Sequence, residues 1–167
     1  MPTGIAEQPK GKKQDMRAVV TRVSRASIEI NGVPGGSMGR GLLVLLGIGP
    51  NDTEKEAVYL AEKCAVQRIF EDENGKMNKS MEDIGGEMMV VSNFTLYADC
   101  SHGRRPDFFG AARPEVAIPL YECFKNRLTE LGVRYHCGEF GADMKIDHVN
   151  DGPVTLIMDT DAMMKKK

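Results

Sequence analysis

The stretch MMVVSNFTLYADC, residues 88–100, carries the decision about this fold. Met88, Met89, Val90 and Val91 are the apolar run of a strand built for a core. Ser92, Asn93 and Thr95 then interrupt it, and Leu96 and Tyr97 resume it. Read as one strand over 87–97, the stretch sends Ser92, Phe94 and Leu96 to one face and Asn93, Thr95 and Tyr97 to the other. Asn93 and Thr95 then share one space. A buried hydroxyl or amide without a partner costs about 1–3 kcal/mol. These groups therefore either bond to neighbouring backbone or line a pocket.

Upstream, Val19, Val20, Val23, Ile28 and Ile30 predict two strands bent near Ser24, closed by the turn Asn31-Gly32. Residues 42–48 read as a buried strand. The recurrence of Ala57, Leu60, Ala61, Cys64, Ala65 and Ile69 near a 3.6 period predicts an amphipathic helix over 53–68, capped by Asn51-Asp52. Residues 72–75 read as a turn and 76–86 as a polar loop. Downstream, 98–113 is a long loop, of the kind that often carries function. Residues 114–131 predict a second helix with Gly132 as its C-cap. Pro119 implies either a later start or a kinked first turn. Residues 133–140, 144–149 and 154–158 are strands again. This order predicts an α+β fold: a mostly antiparallel curved sheet or barrel covered by two helices, forming a single domain over 16–160. Residues 1–15 read as a disordered tail and 161–167 as a basic C-terminal tail.

The 167 residues suffice for one real core. No apolar run approaches the roughly 20 residues of a membrane helix, so no membrane partner is expected. The net charge of −2 gives no global field for nucleic acid, and any RNA contact must come from local patches. Three short basic clusters exist: Lys10/Lys12/Lys13, Arg104/Arg105 and 165–167. The four cysteines share no C-x-x-C spacing, and Cys64 and Cys123 fall in predicted helices, which suits reduced thiols in the cytoplasm. Neither Cys100/His102 nor His136/Cys137 has the spacing of a structural metal site. No metal or cofactor is expected.

A second segment, NDGPVT at 150–155, joins the last two predicted strands. Gly152 has no Cβ and lets a backbone or a ligand come close. The segment is either a plain turn or a turn placed for a purpose.

Together these segments resemble a known family. MRAVVTRVSRASI, GLLVLLGI, RIFEDENGKMN, VSNFTLYAD, FGADMK and NDGPVTL are similar, in order over 16–158, to the D-aminoacyl-tRNA deacylases, the D-tyrosyl-tRNA(Tyr) deacylase family. Its two signatures are S-Q-x-T in mid-chain and N-x-G-P-[VF]-T near the C-terminus. The resemblance implies a homodimer that hydrolyses the ester linking a D-amino acid, or glycine, to the terminal adenosine of tRNA. It implies a pocket built from Ser92, Asn93, Phe94 and Thr95 and completed by a Gly-cis-Pro pair, Gly152-Pro153, donated by the partner subunit. Arg22 is expected to hold that pair and Met144 to pack near it. The backbone N–H groups of Phe94 and Thr95 are the expected oxyanion donors. Thr95 as nucleophile lacks a base in any matching motif, so water assisted by the ribose 2′-hydroxyl of the tRNA is the expected mechanism. Asn93 stands where the family usually has glutamine, which leaves the amide one methylene short. The alternative reading is a catalytically weak tRNA- or DNA-binding homologue of the same fold.

Overall fold

The computed structural model describes residues 15–165. The expected tail therefore lies outside the described residues for 1–14, and so does the end of the basic segment at 166–167. Among the described residues, no helix is long and apolar enough to cross a membrane.

The organising element is β1 (Arg17–Ile30), one long strand where two were expected. Its register against β8 shifts twice between Thr21 and Arg25, and these irregularities supply the bend expected near Ser24. One edge of β1 is shared. Its first half pairs with β3 (Gly41–Gly47) and its second half with β2 (Val33–Met38), both antiparallel. The other edge is covered from end to end by β8 (Met144–Asp159). Beyond β3 the sheet turns parallel: β6 (Glu87–Ser92) pairs with β3, and β7 (Tyr135–Cys137) with β6. A small hairpin, β4 (Phe70–Glu71) with β5 (Met77–Lys79), occupies part of the expected polar loop.

Parallel neighbours need long crossovers, and the two helices provide them. Helix α1 (Glu54–Val66) lies between β3 and β6, and α2 (Pro114–Glu130) between β6 and β7. They pack against each other and on one face of the sheet. Leu42, Val44 and Leu46 meet them together with Met88, Val90, Leu60, Cys64, Phe124 and Leu128. The opposite residues, Leu43, Met89 and Val91, pack with Val23, Ala26, Ile28 and Met38 inside the curl of the sheet, with Met144 and Ile146 against them. β3 is thus covered on both faces, which explains its unbroken apolar run.

Four expectations need correction. The α1 N-cap is Thr53, whose N–H donates to the Glu56 carboxylate at 2.8 Å. Asp52 instead accepts the N–H groups of Gly49 and Met16. Helix α2 does begin at Pro114, as expected, and runs through Pro119. A third helix, α3 (Thr160–Lys165), occupies most of the expected basic tail. The last strands, expected as two, form the single element β8, whose register jumps at the NDGPVT segment. The strand expected over 87–97 ends at Ser92 and is followed by a 3-10 turn, Phe94–Tyr97.

Candidate functional site

That last difference shapes the site. The Asn93 N–H makes the final ladder bond, to the Leu46 carbonyl at 2.7 Å. β3 ends one residue later, so the chain beyond Asn93 has no partner strand. Asn93 is a strong capping residue, and its Oδ1 accepts both the Thr95 N–H (3.2 Å) and the Thr95 hydroxyl (2.5 Å). Asn93 and Thr95 do meet, but by a side chain folding back on a turn and not by strand alternation. The Phe94 N–H forms no hydrogen bond among the described residues. Of the two expected oxyanion donors, Phe94 is therefore available and Thr95 is already engaged.

The turn is pinned from below. The Arg17 guanidinium lies 4.7 Å from the centre of the Tyr97 ring and donates to the Leu96 carbonyl at 3.2 Å. The Tyr97 hydroxyl donates to the Asp15 carbonyl at 2.9 Å. The ring lies over Gly47, where a Cβ would stand 2.7 Å from it, so this end of β3 must be glycine. Burial, with the nearby Asp52 and Asp15 carboxylates, raises the Tyr97 phenol well above its ordinary range. Asp52 is pushed up to about 7, chiefly by burial and against the two N–H bonds that it accepts. Sequence reasoning missed this clamp. Its only local sign is a cation at the start of β1.

A cavity of about 390 Å³ opens beside the turn, lined by Val91, Ser92, Asn93, Phe94, Met144 and the segment 140–143, among others. Ser92, Asn93, Phe94 and Met144 thus come together in one chain, and Thr95 stands one residue beyond the lining. The 140–143 wall belongs to the FGADMK segment, of which only Met144 was foreseen. Gly138 permits it: a Cβ there would run into the Met144 sulfur.

The Gly152-Pro153 segment lies elsewhere. Thr155 pairs with Thr21 and Asn150 with Val23, so 151–154 bulge outward opposite Arg22. The Gly152–Pro153 peptide is cis. Gly152 has φ +138, and a Cβ would stand 2.7 Å from Val154 and 3.2 Å from Arg22 Nη2. Arg22, only 7% exposed, donates to the carbonyls of Asp151 and Ile69, each at 2.9 Å. Asn150 braces the segment from within: its Oδ1 accepts the Val154 N–H and its Nδ2 donates to Thr155. The exposed tip is therefore fixed on both sides.

The register separates the two halves. Arg22 pairs with Leu42, and Leu42 with Met88. The tip is thus three strand spacings from β6, about 14 Å. Asn93 lies five residues past Met88, about 16 Å along the strand. Ile146 of β8 itself lines the cavity, and Gly152 lies six residues farther along that strand, about 20 Å away.

None of the three histidines serves Thr95. His102 lies in the 98–113 loop, His136 pairs with Glu87 at 3.5 Å, and His148 lies opposite Ala26 on β8. Among the described residues, no group of three or more His, Cys, Asp or Glu side chains is arranged to hold a metal.

The chain matches a family model described as D-Tyr-tRNA(Tyr) deacylase over residues 19–159. It is 57% identical over 145 residues to a D-aminoacyl-tRNA deacylase of Desulfatibacillum aliphaticivorans, covering 87% of this chain and 99% of that one. A solved structure titled "c-Myc DNA Unwinding Element Binding Protein" aligns with a TM-score of 0.78 at 41% identity, covering 85% of this chain and 97% of that one. Another, titled "Structural Analysis of a probable eukaryotic D-amino acid tRNA deacylase", aligns at 0.76 and 17% identity, covering 87% and 99%, a likeness of fold.

Proposed function

The chain belongs to the D-Tyr-tRNA(Tyr) deacylase family, and from that premise we propose how its residues divide the work. The protein is a D-aminoacyl-tRNA deacylase, a hydrolase that releases a free D-amino acid and tRNA. The ester is held in the cavity of Ser92, Asn93, Phe94 and Met144. The cavity is completed by Gly152 and Pro153 of a second copy.

The observation that carries this reading is the wide separation of a braced, exposed tip from the pocket of its own chain. A two-fold partner resolves it, because an isologous interface presents each tip to the other pocket. The outer edge of β8, with Ile157 81% and Val149 39% exposed, offers apolar surface flanking the tip for such a dimer.

Handedness is then read by main chain. Two enantiomers differ only in where side chain and hydrogen sit on Cα. Backbone oxygens of a fixed tip accept the amino group of the D form and collide with the side chain of the L form. A close-packed, braced site cannot relax that overlap. No side chain of the amino acid is read, so many D residues fit, and achiral glycine on tRNA is also hydrolysed.

For the chemistry, water attacks the ester carbonyl, and the negative charge that develops on its oxygen meets the Phe94 N–H. The Thr95 hydroxyl donates to the amide of Asn93, and an amide cannot take up a proton as a base does. Thr95 is therefore a positioning group. The ribose 2′-hydroxyl beside the ester orients the water, and the 3′-oxygen leaves with the proton. The four free cysteines suit the reducing cytoplasm.

The test is hydrolysis of D-Tyr-tRNA and L-Tyr-tRNA by the purified protein. Cleavage of the D form alone is expected, and equal rates overturn the main-chain reading. A substrate with 2′-deoxyadenosine at its end is expected to be stable, and an unchanged rate on it overturns the ribose-assisted step.

A further inference from the structure

Three of the chain's six phenylalanines stand exposed at one place. Phe94, at the rim of the cavity, is 58% exposed, Phe108 is 36% exposed and Phe109 is 90% exposed. Phe108 meets Phe94 edge to face, with ring centres 5.2 Å apart, so the aromatic surface is continuous from the cavity into the 98–113 loop. Phe109 follows, with its ring in solvent.

The loop is built to hold this ring out. Its neck is closed by the paired backbones of Asp99 and Asp107, with bonds of 2.8 and 3.0 Å. Its return is tied by the Ala112 N–H on the Ile48 carbonyl at 2.8 Å. Gly110 lies against Tyr97, the residue that Arg17 clamps. Phe109 is thus anchored through the same turn that carries the pocket.

The charge of the loop runs against that of the chain. Residues 98–113 hold Arg104, Arg105 and Arg113 against Asp99 and Asp107, giving net +1 within a chain of net −2. Arg104, Arg105 and Arg113 form no ion pair among the described residues. Of the other exposed arginines, Arg25 is paired with Asp147, Arg68 and Arg134 donate to the carbonyls of Asn78 and Gly85, and Arg40 lies over the Phe70 ring. A solvent-facing ring flanked by unpaired guanidinium groups is the combination that binds single-stranded nucleic acid: rings stack on bases, and arginines neutralise phosphates.

We propose that the 98–113 loop is the subsite for the unpaired nucleotides that precede the terminal adenosine of the tRNA, with Phe109 stacking on a base and Arg104 and Arg105 on the phosphates. This rests on the deacylase reading and names where the RNA leaves the catalytic pocket. Recognition here does not depend on which base is present, because every base has a stacking face. It fits an enzyme that must accept many tRNAs. Because the loop is fixed beforehand, little ordering cost opposes binding.

The test compares two substrates and one ligand in the full-length protein. The substrates are D-Tyr-tRNA and D-tyrosyl-adenosine, which lacks the preceding nucleotides; the ligand is an uncharged RNA minihelix ending in unpaired CCA. For Phe109→Ala, kcat/KM on D-Tyr-tRNA is expected to fall about 10- to 100-fold, mostly through KM, the range for loss of one stacked base. Cleavage of D-tyrosyl-adenosine is expected to stay at wild type. Phe109→Trp is expected to restore the tRNA rate. For Arg104→Ala/Arg105→Ala, the salt slope of minihelix binding is expected to shallow by about 1.4, two phosphates at roughly 0.7 each.

Equal losses on both substrates overturn the proposal, as does an unchanged rate on tRNA. Conversion of the protein to monomers by Phe109→Ala overturns it too, because a second copy would then cover the ring. If the wild-type protein cleaves neither substrate, the deacylase reading fails. Minihelix binding still decides the subsite, which fails if the wild type and Phe109→Ala bind the minihelix equally.

Discussion

Replacing Arg22 separates its part in stability from its part in chiral selection. The side chain is 7% exposed and donates to two carbonyls at 2.9 Å, one on the solvent-facing tip and one, Ile69, buried. Hydrogen bonds from a charged donor contribute about 1.5–3 kcal/mol each. The Asp151 carboxylate, 3.7 Å away and half exposed, adds little. In Arg22→Ala water replaces part of what is lost, so the expected destabilisation is about 3 kcal/mol, or a midpoint lower by roughly 6–12 °C for a chain of this size. Losing the bond to Asp151 releases the tip by about 1.5–3 kcal/mol, which corresponds to a roughly 10- to 150-fold fall in kcat/KM on D-Tyr-tRNA. The ratio of D to L cleavage is expected to fall with it, because a mobile wall no longer excludes the L side chain. Arg22→Lys keeps the charge and reaches only one carbonyl, so it is expected to lie between wild type and alanine in both respects. The assay is initial rates on D- and L-Tyr-tRNA well below the unfolding midpoint of each variant, alongside thermal unfolding. A folded Arg22→Ala protein with wild-type rates and an unchanged D-to-L ratio refutes the role given to this residue.

Gly152→Ala places a methyl group 2.7 Å from Val154 at φ +138; since the tip is exposed, the midpoint is expected to move by no more than a few degrees while the D-Tyr-tRNA rate falls at least tenfold. In Thr95→Val, kcat is expected to drop less than about tenfold, whereas a true nucleophile would cost about 10⁴-fold or more on initial rates. Asn93→Gln loses a cap worth about 1 kcal/mol and frees the Thr95 N–H; kcat is expected to rise severalfold in single-turnover assays, and a tenfold decrease contradicts the folded-back reading. Asp52 has its folded pKa raised from 3.8 to about 7, so the folded state binds the extra proton and stability is expected to decline as pH rises from 4 to 7, by at most about 4 kcal/mol. Asp52→Asn is expected to flatten that slope in denaturant titrations across this range, and an unchanged slope rejects the assignment.

Periodicity within the chain itself determined the parts that pack by a single face. The apolar stripe of 53–68 and that of 114–131 predicted helices because each had one buried side to show, and α1 and α2 stand there. The continuous run at 42–48 marked a strand buried on both faces. The segments SNFT and NDGPVT were visible as polar or conformationally special residues inside apolar surroundings. The tertiary structure decided what depends on residues far apart in sequence. β6 stops at Ser92 because β3 ends beside it, and only then does the Asn93 side chain win the Thr95 N–H from a strand that no longer continues. Two predicted strands fuse into β8 because β1 runs unbroken alongside, leaving 151–154 no room except outward. The Arg17 clamp on Tyr97 and the Arg22 hold on Asp151 join positions 80 and 129 residues apart. Local sequence records which side of an element is apolar. Where a strand ends, which loop is braced and which half of a site must come from elsewhere depend on neighbours that only folding supplies.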